Sequence, residues 1–187
     1  MSRVLQIFAS DPQTPVAPDL GPHPERFLEW RCEWHLAEGR PLSAAEIEAD
    51  RERLGALLAG DFHDGSEDLS FFVEQVFLYA NRAGLDLTSS FEVRVQDCQE
   101  ATVEASASVR SLFELSWVDR AFVDRKGRRL CVPGYAWWNH GEVLVLTRAF
   151  LGGDSLQPRT QPSAVYGAAA ALDAARATGR GVVLRGC

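Results

Sequence analysis

The chain has 187 residues, 46% of them hydrophobic, which suffices for one domain with a buried core and excludes an intrinsically disordered chain. No apolar run approaches the roughly 18 to 20 residues that a membrane-spanning helix requires, so no membrane association is expected. The formal net charge is −7, which disfavours nucleic acid as a direct ligand of the acidic face and favours a basic partner. The opening residues lack the apolar length of a secretory signal, and we expect a cytoplasmic protein forming a single domain over 1–187.

The N-terminal part of the chain predicts a strand, an extended connection and a helix. Residues 3–9 alternate apolar and polar side chains, as strands do, and 11–24 carries five prolines, which favour an extended backbone. A mainly helical part is expected over 25–84. Its first helix is indicated by an apolar stripe at helical spacing that ends before Gly39: Phe27, Trp30, Trp34 and Ala37.

Two further helices are predicted before residue 84. Ser43 and Glu46 have the spacing of a capping box, which predicts a helix start at this point. The apolar stripe of this second helix is Ile47, Leu54, Leu57 and Leu58. The third helix, about 69–83 with Gly84 as its left-handed stop, is apolar on nearly every side, so we expect it to be the central buried helix.

The region 91–150 is predicted to be mainly β-structure. Residues 91–95, 103–107 and 113–117 alternate with a period of two, and 122–124 and 130–132 flank a basic turn as a hairpin would. The run Val143–Thr147 is apolar on both faces, which favours a central strand.

The C-terminal part, 163–187, predicts a helix capped by Ser163 and ended by Gly179, then a short strand over 182–184 that pairs with the first strand. The predicted fold class is α+β. N-terminal helices pack on a largely antiparallel, meandering sheet of five or six strands, and a C-terminal helix and short strand complete the chain.

The segment 131–141 concentrates aromatic and polar side chains in what reads as a loop. Loops run over the surface, so its rings either close a core from the side or present a binding surface. The candidate binding residues here are Tyr135, Trp137, Trp138, Asn139 and His140. Adjacent residues of an extended segment point to opposite sides, so one tryptophan is expected to anchor the segment and the other to face a ligand or partner.

Cysteine and histidine residues offer two weak candidates for chemistry. Cys131 and His140 could form a nucleophile and base, but no motif surrounds either residue, so we predict that neither is catalytic. Cys32 and His35 are spaced to reach one metal ion, yet zinc needs two further ligands and none is adjacent. We therefore expect no metal and no cofactor. All four cysteines are expected to be reduced, since no C-x-x-C pair is present.

Two charged segments are candidates for recognition. The acidic segment 46–68 holds most of the net charge and is represented by Glu48, Asp50 and Glu52; the alternative is a solvated helix face. Within it, 61–68 lacks the register of a calcium loop and is better explained as the acidic start of the third helix. The basic turn carries Arg125, Lys126, Arg128 and Arg129, which could bind phosphate or an acidic protein; the alternative is that these charges only keep the turn soluble.

These features favour recognition over turnover, because charge is segregated, aromatic residues cluster and no catalytic arrangement is complete. The sequence predicts a non-enzymatic, acidic protein-binding module, such as a toxin-neutralising immunity protein or an accessory subunit of a bacterial complex. The alternative is a small-molecule binder or enzyme with a pocket in a curved sheet, lined by Trp137, Trp138 and His140. The pattern does not define the partner or the oligomeric state.

Overall fold

A four-stranded antiparallel sheet forms the centre of the computed structural model, which describes residues 4–21, 24–62, 67–88, 93–94, 96–98, 106–114, 120–151 and 162–186. In chain order the elements are β1 (Val4–Ser10), α1 (Pro24–Ala37), α2 (Ala44–Leu58), α3 (Glu67–Arg82), β2 (Val93–Arg94), α4 (Ala107–Glu114), β3 (Phe122–Val123), β4 (Arg129–Leu130), β5 (Tyr135–Trp138), α5 (His140–Leu151), α6 (Pro162–Ala177) and β6 (Gly181–Gly186).

The predicted α+β class is confirmed, and so is the pairing of the last strand with the first. Strand β6 lies antiparallel to β1, with Leu184 opposite Ile7, and it also pairs with β5. The order β2-β1-β6-β5 puts β6 inside the sheet. Among the described residues this sheet has four strands rather than the five or six predicted. The predicted hairpin is a separate two-stranded sheet, β3 and β4.

Each face of the sheet carries its own hydrophobic core. Along β1 and β6, Ile7 and Val182 point into one core and Phe8 and Val183 into the other, as strand alternation requires. The first, which we call the α5–α6 core, also contains Val143, Leu146, Ala168 and Leu172. The second, the α1–α3 core, also contains Phe27, Leu57, Phe72 and Phe77.

The three N-terminal helices form as predicted. Helix α1 ends before Gly39, where a φ of 75° places the backbone in the left-handed region and cannot continue a right-handed helix. Helix α2 begins with the expected reciprocal capping box of Ser43 and Glu46. Helix α3 stops before Gly84, where φ is 71°. Of the segment 61–68, expected to form the acidic start of α3, residues 63–66 lie outside the described residues.

The prediction of a central strand over Val143–Thr147 is wrong, because these residues lie in helix α5. Asn139 and Glu142 cap this helix reciprocally: Asn139 Oδ1 accepts from Glu142 N, and Glu142 Oε2 accepts from Asn139 N, both at 2.9 Å. A five-residue apolar run fits either element by period alone, and the cap decides between them.

Three other predicted strands either coincide with a helix or fall partly outside the described residues. Residues 107–114 form helix α4, so the strand predicted over 113–117 is wrong where it can be compared. Of the strand predicted at 91–95, the described part is β2. Of the strand predicted at 103–107, residues 103–105 lie outside the described residues, and Ala107 is the first residue of α4. Residues 115–119 also lie outside the described residues. The strand predictions failed here because apolar and polar residues can alternate by chance over four or five residues of a short helix.

Candidate functional site

The segment 131–141 contains a strand rather than a loop. In β5, Tyr135 and Trp138 are almost completely buried, and Trp137 is half-buried. Trp138 lies in the α5–α6 core and donates from Nε1 to the carbonyl of Leu112 at 2.9 Å, whereas Tyr135 lies in the opposite core, 4.4 Å from Phe77 between ring centroids. Both faces of the sheet are covered, so these two rings build the cores and do not line an open pocket.

Trp137 has the most accessible ring of β5, and it contacts Arg120 and Ala121. The Arg120 guanidinium lies 3.5 Å from the ring centroid, in cation–π geometry. Trp137 Nε1 donates to the carbonyl of Ala121 at 2.9 Å. Arg120 also donates to the carbonyl of Trp137 and, with two nitrogens, to the carboxylate of Glu142. This clamp joins β5 to the start of α5, and the sequence analysis did not identify Arg120.

Cys131 and His140 are not brought together. Cys131 is exposed, and the ring of His140 places Nδ1 3.1 Å from the carbonyl of Arg180. The backbone N–H of His140 donates to the carbonyl of Pro12 at 2.9 Å, so this residue joins the N-terminal connection to α5. No hydrogen bond joins Cys131 to His140, both of which the structure describes.

Most of the basic turn is already paired with carboxylates. Lys126 Nζ lies 2.7 Å from Asp61, Arg128 forms ion pairs with both Asp61 and Asp124, and Arg125 approaches Asp11 at 4.0 Å. Arg129 is exposed. These cations therefore connect the hairpin to the segments after β1 and α2. Because they are already paired, they are less available to bind phosphate or an acidic protein.

Asp124 organises this turn from inside. Its side chain is fully buried and accepts hydrogen bonds from the backbone N–H groups of Phe62, Lys126 and Arg128 and from the Arg128 guanidinium. Burial opposes ionisation and acts to raise the pKa of Asp124, but these hydrogen bonds outweigh burial and hold the pKa well below its usual range. The Asp124 carboxylate is therefore ionised at neutral pH, and its hydrogen bonds join the turn to Phe62.

The acidic helix α2 divides into buried and exposed charges. Asp50 is buried and accepts from Arg31 Nε at 2.6 Å, with Arg53 also within 3.2 Å. Glu48 and Glu52 are exposed, and Glu48 pairs with Arg51. Of the three acids singled out from the sequence, only these two are available to a partner. Helix α1 adds the exposed acids Glu25, Glu29 and Glu33, and the exposed Glu38 follows its end.

A cluster of aromatic rings lies where α1 packs against α3, and part of it is open to solvent. Trp34 packs against Phe71 with centroids 6.2 Å apart, and Trp30 packs against Tyr79 at 5.7 Å. The side chain of Phe71 is 50% exposed and that of Leu78 is 41% exposed. We call these five residues the aromatic surface. The sequence predicted α3 to be buried all round, so it missed Phe71 and Leu78 as accessible residues.

Buried polar atoms without partners lie on the same two helices, α1 and α3. Gln75 is 1% exposed, and neither its Nε2 nor its Oε1 has a hydrogen-bond partner. Arg31 Nη1 and His35 Nε2, one helical turn apart on α1, are likewise buried and unpaired. Burial and the Arg31 cation lower the pKa of His35. Across the described residues, no group of three or more His, Cys, Asp or Glu side chains is placed to hold a metal ion.

A small cleft opens beyond the end of β1, close to the start of β6. Its volume is about 130 Å³, and Asp11, Thr14, Asp19 and Arg180 contribute polar groups to its wall. Arg180 pairs with Asp19 at 2.7 Å, and Asp11 accepts from Gln13 and Thr14. These groups satisfy one another, and the volume suits a few water molecules better than an organic ligand.

No protein-family model matches the chain, and neither a curated protein nor a solved structure shows significant similarity to it. Within the described ranges, every helix is too short or too polar to cross a bilayer.

Proposed function

We propose that this protein is a non-enzymatic protein-binding module, and that it binds its partner through the aromatic surface formed by Trp30, Trp34, Phe71, Leu78 and Tyr79. The observation that carries the proposal is the exposure of Phe71 and Leu78 beside half-buried tryptophans. Tryptophan and tyrosine dominate the energetics of protein interfaces, because large rigid rings bury much area at little entropic cost.

The charge around this surface favours a basic partner. The exposed acidic and basic side chains of α1 are three glutamates against Arg26, and Glu74 lies on α3 between Phe71 and Leu78. Anionic membranes and nucleic acid would be repelled, and a second copy of the same acidic chain would bring like charges together. Toxin-neutralising immunity proteins and accessory subunits are two classes of protein that could bind a partner through such a surface.

Photo-crosslinking tests this proposal directly. A benzoylphenylalanine side chain replacing Phe71 should form a covalent adduct with one protein partner in the producing cell. Tyr166 provides a matched control, because it is an aromatic residue, 57% exposed, on helix α6 outside the aromatic surface. Adducts at position 71 but not at 166 support the proposal. Equal adducts at both positions, or none at 71, would contradict it.

A further inference from the structure

Gln75 lies on α3 midway between two residues that contact α1. Helical geometry places it one turn from Phe71 and one turn from Tyr79, the two residues of α3 that contact Trp34 and Trp30. Its side chain therefore lies on the face of α3 that α1 covers. At 1% exposure, both its amide oxygen and its amide nitrogen lack a partner.

An unpaired buried amide destabilises the free protein. Burial of one such group without a hydrogen bond costs on the order of 1–3 kcal/mol, whereas an apolar side chain of similar size would pack there without this cost. The polar residue is thus poorly explained by the stability of the free chain. A ligand that donates a hydrogen bond to Gln75 Oε1 would remove part of this cost and explain why a polar side chain lies here.

We infer that Gln75 is a binding group for a cationic side chain, lysine or arginine, carried by a basic segment of the partner; this inference rests on the proposed function of the aromatic surface. The cation enters beside Phe71, whose half-exposed ring can rotate to admit it, and donates to Gln75 Oε1. Trp34 and Phe71 offer ring faces for cation–π contact.

The acidic surroundings supply the long-range attraction for this cation. Glu33 on α1 is adjacent in sequence to Trp34, Glu74 on α3 is adjacent to Gln75, and both are exposed. An ammonium or guanidinium group has only donors, which matches the unpaired amide oxygen of Gln75. The same carboxylates would oppose an acidic segment.

A calorimetric titration with a short amphipathic peptide of leucine and lysine tests the inference, with a leucine–glutamate peptide as comparison. Gln75→Leu should raise the midpoint of thermal unfolding, because it removes an unpaired group, yet weaken binding of the lysine peptide by about tenfold. Thr147→Val is the matched control: Thr147 is 2% exposed with an unpaired Oγ1, but it lies on α5. This variant should gain stability without losing affinity.

The possible results separate the inference from the proposed function. If Gln75→Leu binds as tightly as the parent while Phe71→Ser abolishes binding, Gln75 has no role and the inference fails, but the surface still binds. Preference for the glutamate peptide, for anionic phosphatidylserine vesicles or for self-association, or failure of both peptides to bind, overturns the basic partner segment. The crosslink at position 71 then decides the proposed function on its own.

Discussion

Individual acidic residues on α2 differ sharply in what their removal would do. Asp50 faces Arg31 with side-chain exposures of only 6% and 10%, so it neutralises a buried cation between α1 and α2. Glu48 is exposed and pairs with a neighbouring arginine on the same helix. The first is part of the folded core and the second part of the solvent face, although the sequence presents them as equivalent.

Asp50→Asn should therefore destabilise the protein by about 3 kcal/mol, because a buried Arg31 would remain without its counter-ion. Glu48→Gln, the control, should change the free energy of unfolding by no more than about 0.5 kcal/mol. Urea denaturation of the two variants provides the measurement. If they lose equal stability, the Arg31–Asp50 pair is not a structural ion pair.

Strand β5 shows what the sequence could predict of the site and what it could not. The opposite orientation of Trp137 and Trp138 follows from strand geometry and was expected. The expectation that one ring faces a ligand assumed that one side of the segment was open. Helices on both sides of the sheet cover it, and that depends on contacts between residues far apart in the chain, such as Trp138 with Leu112. Periodicity contains no information about such contacts.

A similar limit explains the errors in the β region. The capping residues correctly predicted the start of α2, because Ser43 and Glu46 lie within one helical turn of each other. The equivalent pair of Asn139 and Glu142 lies next to the tryptophans, where it looked like part of a binding loop. In α3, the stop at Gly84 was readable, but the exposure of Phe71 was not, because an apolar helix does not reveal which of its sides remains uncovered.

The two tryptophans of β5 should differ in their contribution to stability. Trp138→Ala should cost about 3 to 5 kcal/mol, because it leaves a large cavity in the α5–α6 core. Trp137→Ala should cost about 2 kcal/mol, since a half-buried ring, one hydrogen bond and a cation–π contact are lost. Thermal and urea denaturation give both values. Equal losses would show that the Arg120 clamp holds Trp137 as firmly as full burial holds Trp138.

At the scale of the whole molecule, one sheet is shared by two cores. Phe77 of α3 contacts Phe8 of β1 and Tyr135 of β5, with ring centroids 5.5 and 4.4 Å apart. The reverse faces of the same strands carry the α5–α6 core, which contains Cys98. Unfolding of the α1–α3 core would expose one apolar face of the sheet to water and so destabilise its strands. We therefore expect the two cores to unfold together.

Cys98 provides a probe of this cooperativity. It is fully buried, and burial, with the Asp97 carboxylate nearby, raises the pKa of its thiol to about 12, so alkylation requires opening of the fold. In a chain with the other three cysteines changed to serine, Phe77→Leu should lower stability by about 1 to 3 kcal/mol. If the cores are coupled, the rate of Cys98 alkylation should rise about tenfold for each 1.4 kcal/mol lost, although Phe77 lies in the opposite core. An unchanged alkylation rate in a destabilised Phe77→Leu protein would mean that the helical layer of α1, α2 and α3 opens alone, while the sheet keeps its α5–α6 core.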